Sequence, residues 1–106
     1  MLELLTLINM VRSIPLVPDK VLTEIAQKRA DYLCENNLFT HKGWTKHDSK
    51  YAYRGENLYK GNETIKDINK RFLESPTHKA IMVNGVYQYI GIATKCDILV
   101  EEFGGL

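Results

Sequence analysis

Three side chains of types that hold metals or move protons each stand beside a structural punctuation mark in this 106-residue chain. His41 sits in "FTHKG", Glu56 follows a glycine in "GENLYKG", and His78 follows the serine and proline of "ESPTHKAIM". Two neutral imidazoles and a carboxylate suit a divalent transition ion such as zinc. They suit proton transfer equally, because free imidazole titrates at about pH 6.5. The spacing contains no HExxH and no i, i+4 pair, so it leaves two readings open. Either the three converge in a cleft, or each is a solvated loop side chain or a histidine satisfied by a backbone carbonyl. His47, in "TKHDSK", reads as an exposed loop histidine, with a third-ligand role as the alternative. Trp44 and the tyrosines Tyr51, Tyr53, Tyr59, Tyr87 and Tyr89 read as half-buried packing, against a sugar-stacking wall. Asn57 reads as a structural tie to neighbouring backbone. Lys42 and Lys79 read as solvated, with attraction of an anion as the other possibility.

The elements that must position these residues follow from periodicity and punctuation. "MLELLTLINMVRS" repeats apolar residues at Leu2, Leu5, Ile8 and Val11, which predicts a helix from about Leu2 to Ser13, stopped by Pro15. "IPLVPDK" is a short extended connector, since a residue before proline is pushed out of the α region. Asp19 caps a second helix reaching about Asn36, with Leu22, Ile25, Ala26, Ala30, Leu33 and Cys34 along one stripe. From Phe39 to Tyr53 periodicity lapses into a long polar loop, a length usually tied to function or mobility. "GENLYKG" is a brief strand. Thr64 caps a third helix that buries Ile65, Ile68 and Phe72, and Ser75 with Pro76 starts a short fourth. "YQYIGIATKCDILVEEFGG" reads as two β-runs turning at "TKCD". Without βαβ alternation, the expectation is one α+β domain, residues 1–106, with antiparallel pairing.

Totals narrow the function classes. A net charge of +1 with no basic cluster argues against nucleic acid as a partner. No segment has the roughly 18 apolar residues of a membrane span. The amino-terminal stretch has no basic first segment and no small-residue cleavage site, and it carries Glu3, so it reads as a structural helix and not an export signal. The chain is then either the mature form of an exported protein or one that never takes that route. Cys34 and Cys96 form no CxxC or CxxH. They read first as two free thiols and second as a long-range disulfide, because sequence does not give the Cα separation that bridging requires.

Several segments together resemble the CAP superfamily, also called the SCP domain family (cysteine-rich secretory proteins, antigen 5, pathogenesis-related 1). They are "INMVR", "PLVPDKVLTEIAQKRADYL", "FTHKG", "GENLYKG", "RFLESPTHKAIM", "YIGIAT" and "EEFGG", in the family's order and spanning nearly the whole chain. The likeness is to the short bacterial and phage-borne members, without a cysteine-rich tail. The resemblance implies a three-layer α–β–α sandwich with a small antiparallel sheet and a cleft where histidines and acids meet. It matches His41 and His78 to the family's two histidines and Glu56 to the glutamate of the GEN motif. In metal-bound relatives the histidines hold a divalent ion, often zinc, with the acids acting directly or through water. A second family glutamate lies three residues after a tryptophan. Here Phe72 replaces that tryptophan and Ser75 takes the spacing. Glu74, one residue early and about 100° around the helix, is a possible additional member.

The expected function is a module whose His41–Glu56–His78 cleft binds a divalent metal, or a polar, glycan or lipid ligand. One alternative is a metal-dependent hydrolase of peptide or cell-wall bonds, with Glu56, His41 and His78 as its catalytic group and Glu56 as the base to a metal-bound water. The other is a structural or adhesion module of a phage particle. The corresponding locations are outside the cytoplasm after export, or on a virion.

Overall fold

The computed structural model describes residues 1–106. The elements are α1 (Leu2–Asn9), β1 (Val17–Pro18), α2 (Lys20–Glu35), β2 (Tyr53–Lys60), α3 (Ile65–Glu74), α4 (Pro76–Val83), β3 (Tyr89–Lys95) and β4 (Ile98–Gly105). They form the expected α+β fold, with one four-stranded sheet in the order β1-β3-β4-β2. β2 and β3 both pair antiparallel to β4. Two details of the reading of residues 1–18 need correction. The connector before α2 is not unpaired: β1 runs parallel to β3, through Val17 N to Gln88 O and Asp19 N to Ile90 O, both 2.9 Å. The sheet is therefore mixed. A two-residue strand ending at a proline is too short to leave a period of its own. The first helix also stops at Asn9 and not Ser13. The Asn9 side chain exchanges two hydrogen bonds with the backbone of Leu16, at 2.8 and 3.2 Å, and turns the chain there.

The other helix starts follow their capping residues. Asp19 accepts from Leu22 N at 2.9 Å and Thr64 from Asp67 N at 3.2 Å. Ser75 stands at the α4 N-cap without making that bond, because its hydroxyl is engaged elsewhere.

Alternation along β2 and β4 divides the core between the two faces of the sheet. Leu58, Ile98 and Val100 pack with Ala26, Ala30 and Leu33 of α2. Leu99 and Phe103 face the opposite way, onto Leu4 and Ile8 of α1, Phe72 of α3 and Met82 of α4. The layers are thus α2, sheet, and the remaining helices. α2 lies so close to β3 that a Cβ on Gly91 would fall 2.1 Å from the Leu22 carbonyl carbon and the Thr23 nitrogen. Only glycine permits that approach.

Cys34, near the end of α2, and Cys96, in the β3–β4 turn, are joined in a disulfide and are not free thiols. Their Cα atoms are 6.0 Å apart, inside the bridging range. The bond fastens α2 to the sheet at the end opposite Gly91. Two outcomes follow. Replacing both cysteines by serine opens a crosslink spanning 62 residues and should cost about 4 kcal/mol in urea unfolding, by the chain-entropy relation. Gly91→Ala should cost at least about 3 kcal/mol in the same measurement, the upper end of overpacking penalties, because both atoms it strikes are backbone.

Candidate functional site

Glu56 does not stand at a solvated edge. Its side chain is 2% exposed and lies on the α2 face of β2. There Arg29 grips it with two bonds, Nε to Oε1 at 2.8 Å and Nη2 to Oε2 at 3.2 Å. Such a planar fork is among the stronger polar contacts a protein makes. Arg29 reaches it because position 29 falls on the buried stripe of α2 with Leu22, Ala26 and Leu33. The same Nη2 donates to Thr40 O at 3.1 Å, which pins the loop one residue before His41. His41 Nδ1 then lies 2.8 Å from Glu56 Oε2.

Across the ladder from Glu56 stands Glu102, its register partner on β4. Glu102 is fully buried and receives Arg54 Nη2 at 2.7 Å and Trp44 Nε1 at 2.9 Å, both on Oε1. Arg54 is shared with Asp48 of the loop. Two buried carboxylates facing one another disfavour each other's charge. Burial, then the hydrogen bond and charge of Glu56, pushes Glu102 well above the usual carboxylate range. Burial also pushes Glu56 upward, but bonds from Glu102, Arg29 and His41 outweigh it and hold Glu56 below that range. Glu102 is therefore the protonated partner and Glu56 the anion. The proton also gives a role to Glu102 Oε2, which otherwise has no partner.

His78 belongs to the other face. Asn57, the neighbour of Glu56, points the opposite way and donates from Nδ2 to His78 O and to Glu101 Oε1, each at 3.2 Å. The His78 ring stacks on Phe72, centroids 5.0 Å apart, and its Nδ1 lies 2.7 Å from Ser75 Oγ. That contact is what takes the Ser75 hydroxyl away from capping. Burial, and next the charge of His41, lowers the His78 pKa, so this imidazole is neutral at neutral pH. Glu101 is fully buried with Asn57 as its one polar contact, and burial raises it to about 8.

The structure thus brings His41 and Glu56 into contact, and it holds His78 across the β2 edge within electrostatic reach of His41. Glu74 ends α3 exposed and unbonded, its charge acting on Arg71. His47 is exposed. Tyr51, Tyr59 and Tyr87 spend their hydroxyls on Asp19, Glu63 and the Arg54 carbonyl, as packing residues do. Asn57 ties helix backbone to strand. The sequence reading passed over Arg29, Arg54, Glu101 and Glu102. A cation on an otherwise apolar helix stripe and two acids in the apolar run "DILVEEFGG" were the available signals.

A model of the cysteine-rich secretory protein family, CAP, matches residues 10–97. Among solved structures, an extracellular protein containing an SCP domain from Bacillus anthracis superposes with a TM-score of 0.89 at 19% identity, over 100% of this chain and 40% of that one. An outer surface protein from Borrelia burgdorferi gives 0.80 at 27% identity, over 97% and 86%. A cysteine-rich secretory protein from Staphylococcus aureus gives 0.81 at 18% identity, over 99% and 38%. The chain therefore spans about 40% of the length of the Bacillus and Staphylococcus proteins. No curated protein sequence matches it significantly.

The buried acids set a pH dependence whose sign is determined. Glu101 and Glu102 are protonated in the fold but ionised in the unfolded chain above about pH 4.5, so the native state binds more protons. Their contribution is complete below that value and is lost as pH rises toward 8 and beyond. Glu56 is ionised in both states over this range. His78, lowered in the fold, opposes the trend only until the unfolded imidazole has lost its proton, about one unit above pH 6.5, and until then it is one group against two. Urea midpoints should therefore fall steadily from pH 6.5 to 8.5, and Glu101→Gln should flatten the slope. A midpoint that rises over this window would contradict the protonated acids.

Proposed function

Because this chain belongs to the cysteine-rich secretory protein (CAP) family, we propose that it is a binding module whose His41 and His78 hold a divalent metal ion, zinc by donor chemistry, or a polar ligand in its place. One observation carries the reading. Each imidazole has its Nδ1 occupied internally, His41 by Glu56 and His78 by Ser75, while neither Nε2 meets any group of the chain. The Glu56 carboxylate only accepts, so it holds a proton on His41 Nδ1 and fixes that ring's tautomer and direction, while the Ser75 hydroxyl fixes the direction of the His78 ring. Such outer contacts are the usual support for a metal-binding histidine. Both Nε2 atoms are left without a hydrogen-bond partner beside one strand edge.

The residues fit a two-imidazole site and not a three-ligand one. Both Glu56 oxygens are taken, by Arg29 and by His41, and no three His, Cys, Asp or Glu side chains gather as a ligand set. Glu56 serves as an orienting anion behind His41. The remaining ligand positions would fall to water or to a bound molecule, and an ion held there supplies Lewis acidity to that molecule. The same occupancy argues against Glu56 as a hydrolytic base, since it would first have to release Arg29 or His41. Binding is therefore favoured over hydrolysis. Zinc would bind more weakly in acid, because imidazole ligands must be neutral.

The disulfide supports a location outside the cytoplasm, where such bonds form and persist. The extracellular and outer-surface descriptions of the Bacillus and Borrelia proteins support the same placement.

Calorimetric titration of zinc at pH 7.5 should give one ion per chain. Binding should weaken at least tenfold in the double variant His41→Ala/His78→Ala. Ser75→Ala should lower affinity by roughly 10-fold, the low end of losses seen when an outer-shell partner is removed. Equal affinity in the unaltered protein and the double variant would end the reading.

A further inference from the structure

A sizeable cavity lies beside α2 and is lined by neither imidazole. It occupies about 470 Å³ between α2 and the 41–50 loop, and is lined by Ile25, Lys28, Arg29, Tyr32, Gly43 and Asp48. That volume is within the roughly 300–1,000 Å³ range of small-molecule sites. Its polar groups are incompletely used. Lys28 joins none of the ion pairs of the chain, and the neighbouring Asp31 carboxylate is engaged by Gln27 Nε2 at 2.9 Å. The Tyr32 hydroxyl makes no hydrogen bond, and the residue is 49% exposed. Arg29 Nη1 has only a long contact, 3.4 Å, to Lys42 O. Asp48 gives Oδ1 to Arg54 and leaves Oδ2 free. Lys42 and Lys46 on the overlying loop are also without ion-pair partners.

We propose that this cavity is a second binding site, for an acidic sugar. The argument is one of matching. An ammonium and a free guanidinium N–H call for an anionic group on the ligand. A carboxylate oxygen with no donor calls for hydroxyls on the same ligand, which a simple oxyanion lacks. The faces of Tyr32 and Ile25 call for an apolar surface, which the C–H face of a pyranose supplies. A sugar ring bearing a carboxylate has all three. The site is distinct from the imidazole pair, since neither His41 nor His78 lines it. Arg29 is common to both, so an occupant here also touches the side chain that holds Glu56 and the loop before His41.

The test is a titration of glucuronic acid, with glucose as its neutral counterpart, into the ¹⁵N-labelled protein. Glucuronate should produce saturable amide shifts around Lys28, Tyr32 and Gly43, with glucose at least tenfold weaker. Lys28→Ala and Tyr32→Ala change exposed side chains and should each weaken glucuronate at least fivefold, while leaving zinc affinity unchanged. The proposal is overturned if glucuronate and glucose behave alike. It is equally overturned if the shifts are absent, survive both substitutions, or centre on His41 and His78. Only shifts centred on His41 and His78 touch the imidazole site, as a polar ligand taken there; the other results leave zinc binding by the imidazoles unaffected.

Discussion

Glu56 and Glu102 face one another across the β2–β4 ladder, inside the layer where α2 meets the sheet, and most of the surrounding structure answers to that placement. A buried carboxylate is costly unless it is bonded and charge-compensated. One proton and two arginines meet the requirement here. Glu102 stays neutral, Arg29 closes on Glu56 from the helix, and Arg54 lies along the strand to reach both Glu102 and the loop. Trp44 and Asp48 then bind the irregular 37–52 segment to the same group of charges. A loop of that length needs such anchors, since it has no ladder of its own to hold it. Its path, and with it the position of His41, is a consequence of satisfying the two acids.

The packing of α2 serves the same end. Arg29 can grip Glu56 by both carboxylate oxygens only if the helix axis lies at the right height above the sheet. That height is set at one end by Gly91, which lets the helix backbone touch β3, and at the other by the Cys34–Cys96 bond. Alanines 26 and 30 keep the middle of the interface thin. Each of these features looks like plain core construction when taken alone. Together they fix the distance over which a guanidinium fork must act.

What could be read from the sequence divides along the line between local and non-local causes. Asp19 and Thr64 were legible as caps because a cap is decided within three residues of its own position. The overall fold and its family were legible because the motifs occur in order along nearly the whole chain. β1 was not, since a two-residue strand exists only through its partner at Tyr89 and Ile90. The end of α1 was not, since it depends on Asn9 meeting Leu16 beyond the helix. The thiols were not, since bridging is a matter of Cα separation across 62 residues. At the site, the contact of Glu56 with His41 was implied by family likeness. Its pairing with Glu102 required the strand register, which a sequence does not display.

The dipeptide Glu56–Asn57 shows why the site lies where it does. Adjacent strand residues point to opposite faces, so this pair grips the α2 layer with one side chain and the α4 layer with the other. Glu56 thereby orients His41 on one side, and Asn57 fixes the backbone of His78 on the other. The two imidazoles can approach each other only around the outside of the strand, which is possible because β2 is the edge of the sheet. In an interior strand the same dipeptide would hold two histidines apart with a neighbouring strand between them. Glu101 completes the arrangement from below. Kept neutral by burial, it occupies Asn57 without drawing it from His78, so the α4 side of the edge is held by a hydrogen bond that carries no charge. One face of the strand is thus secured by ions and the other by neutral groups, and the edge between them is left to the two free nitrogens.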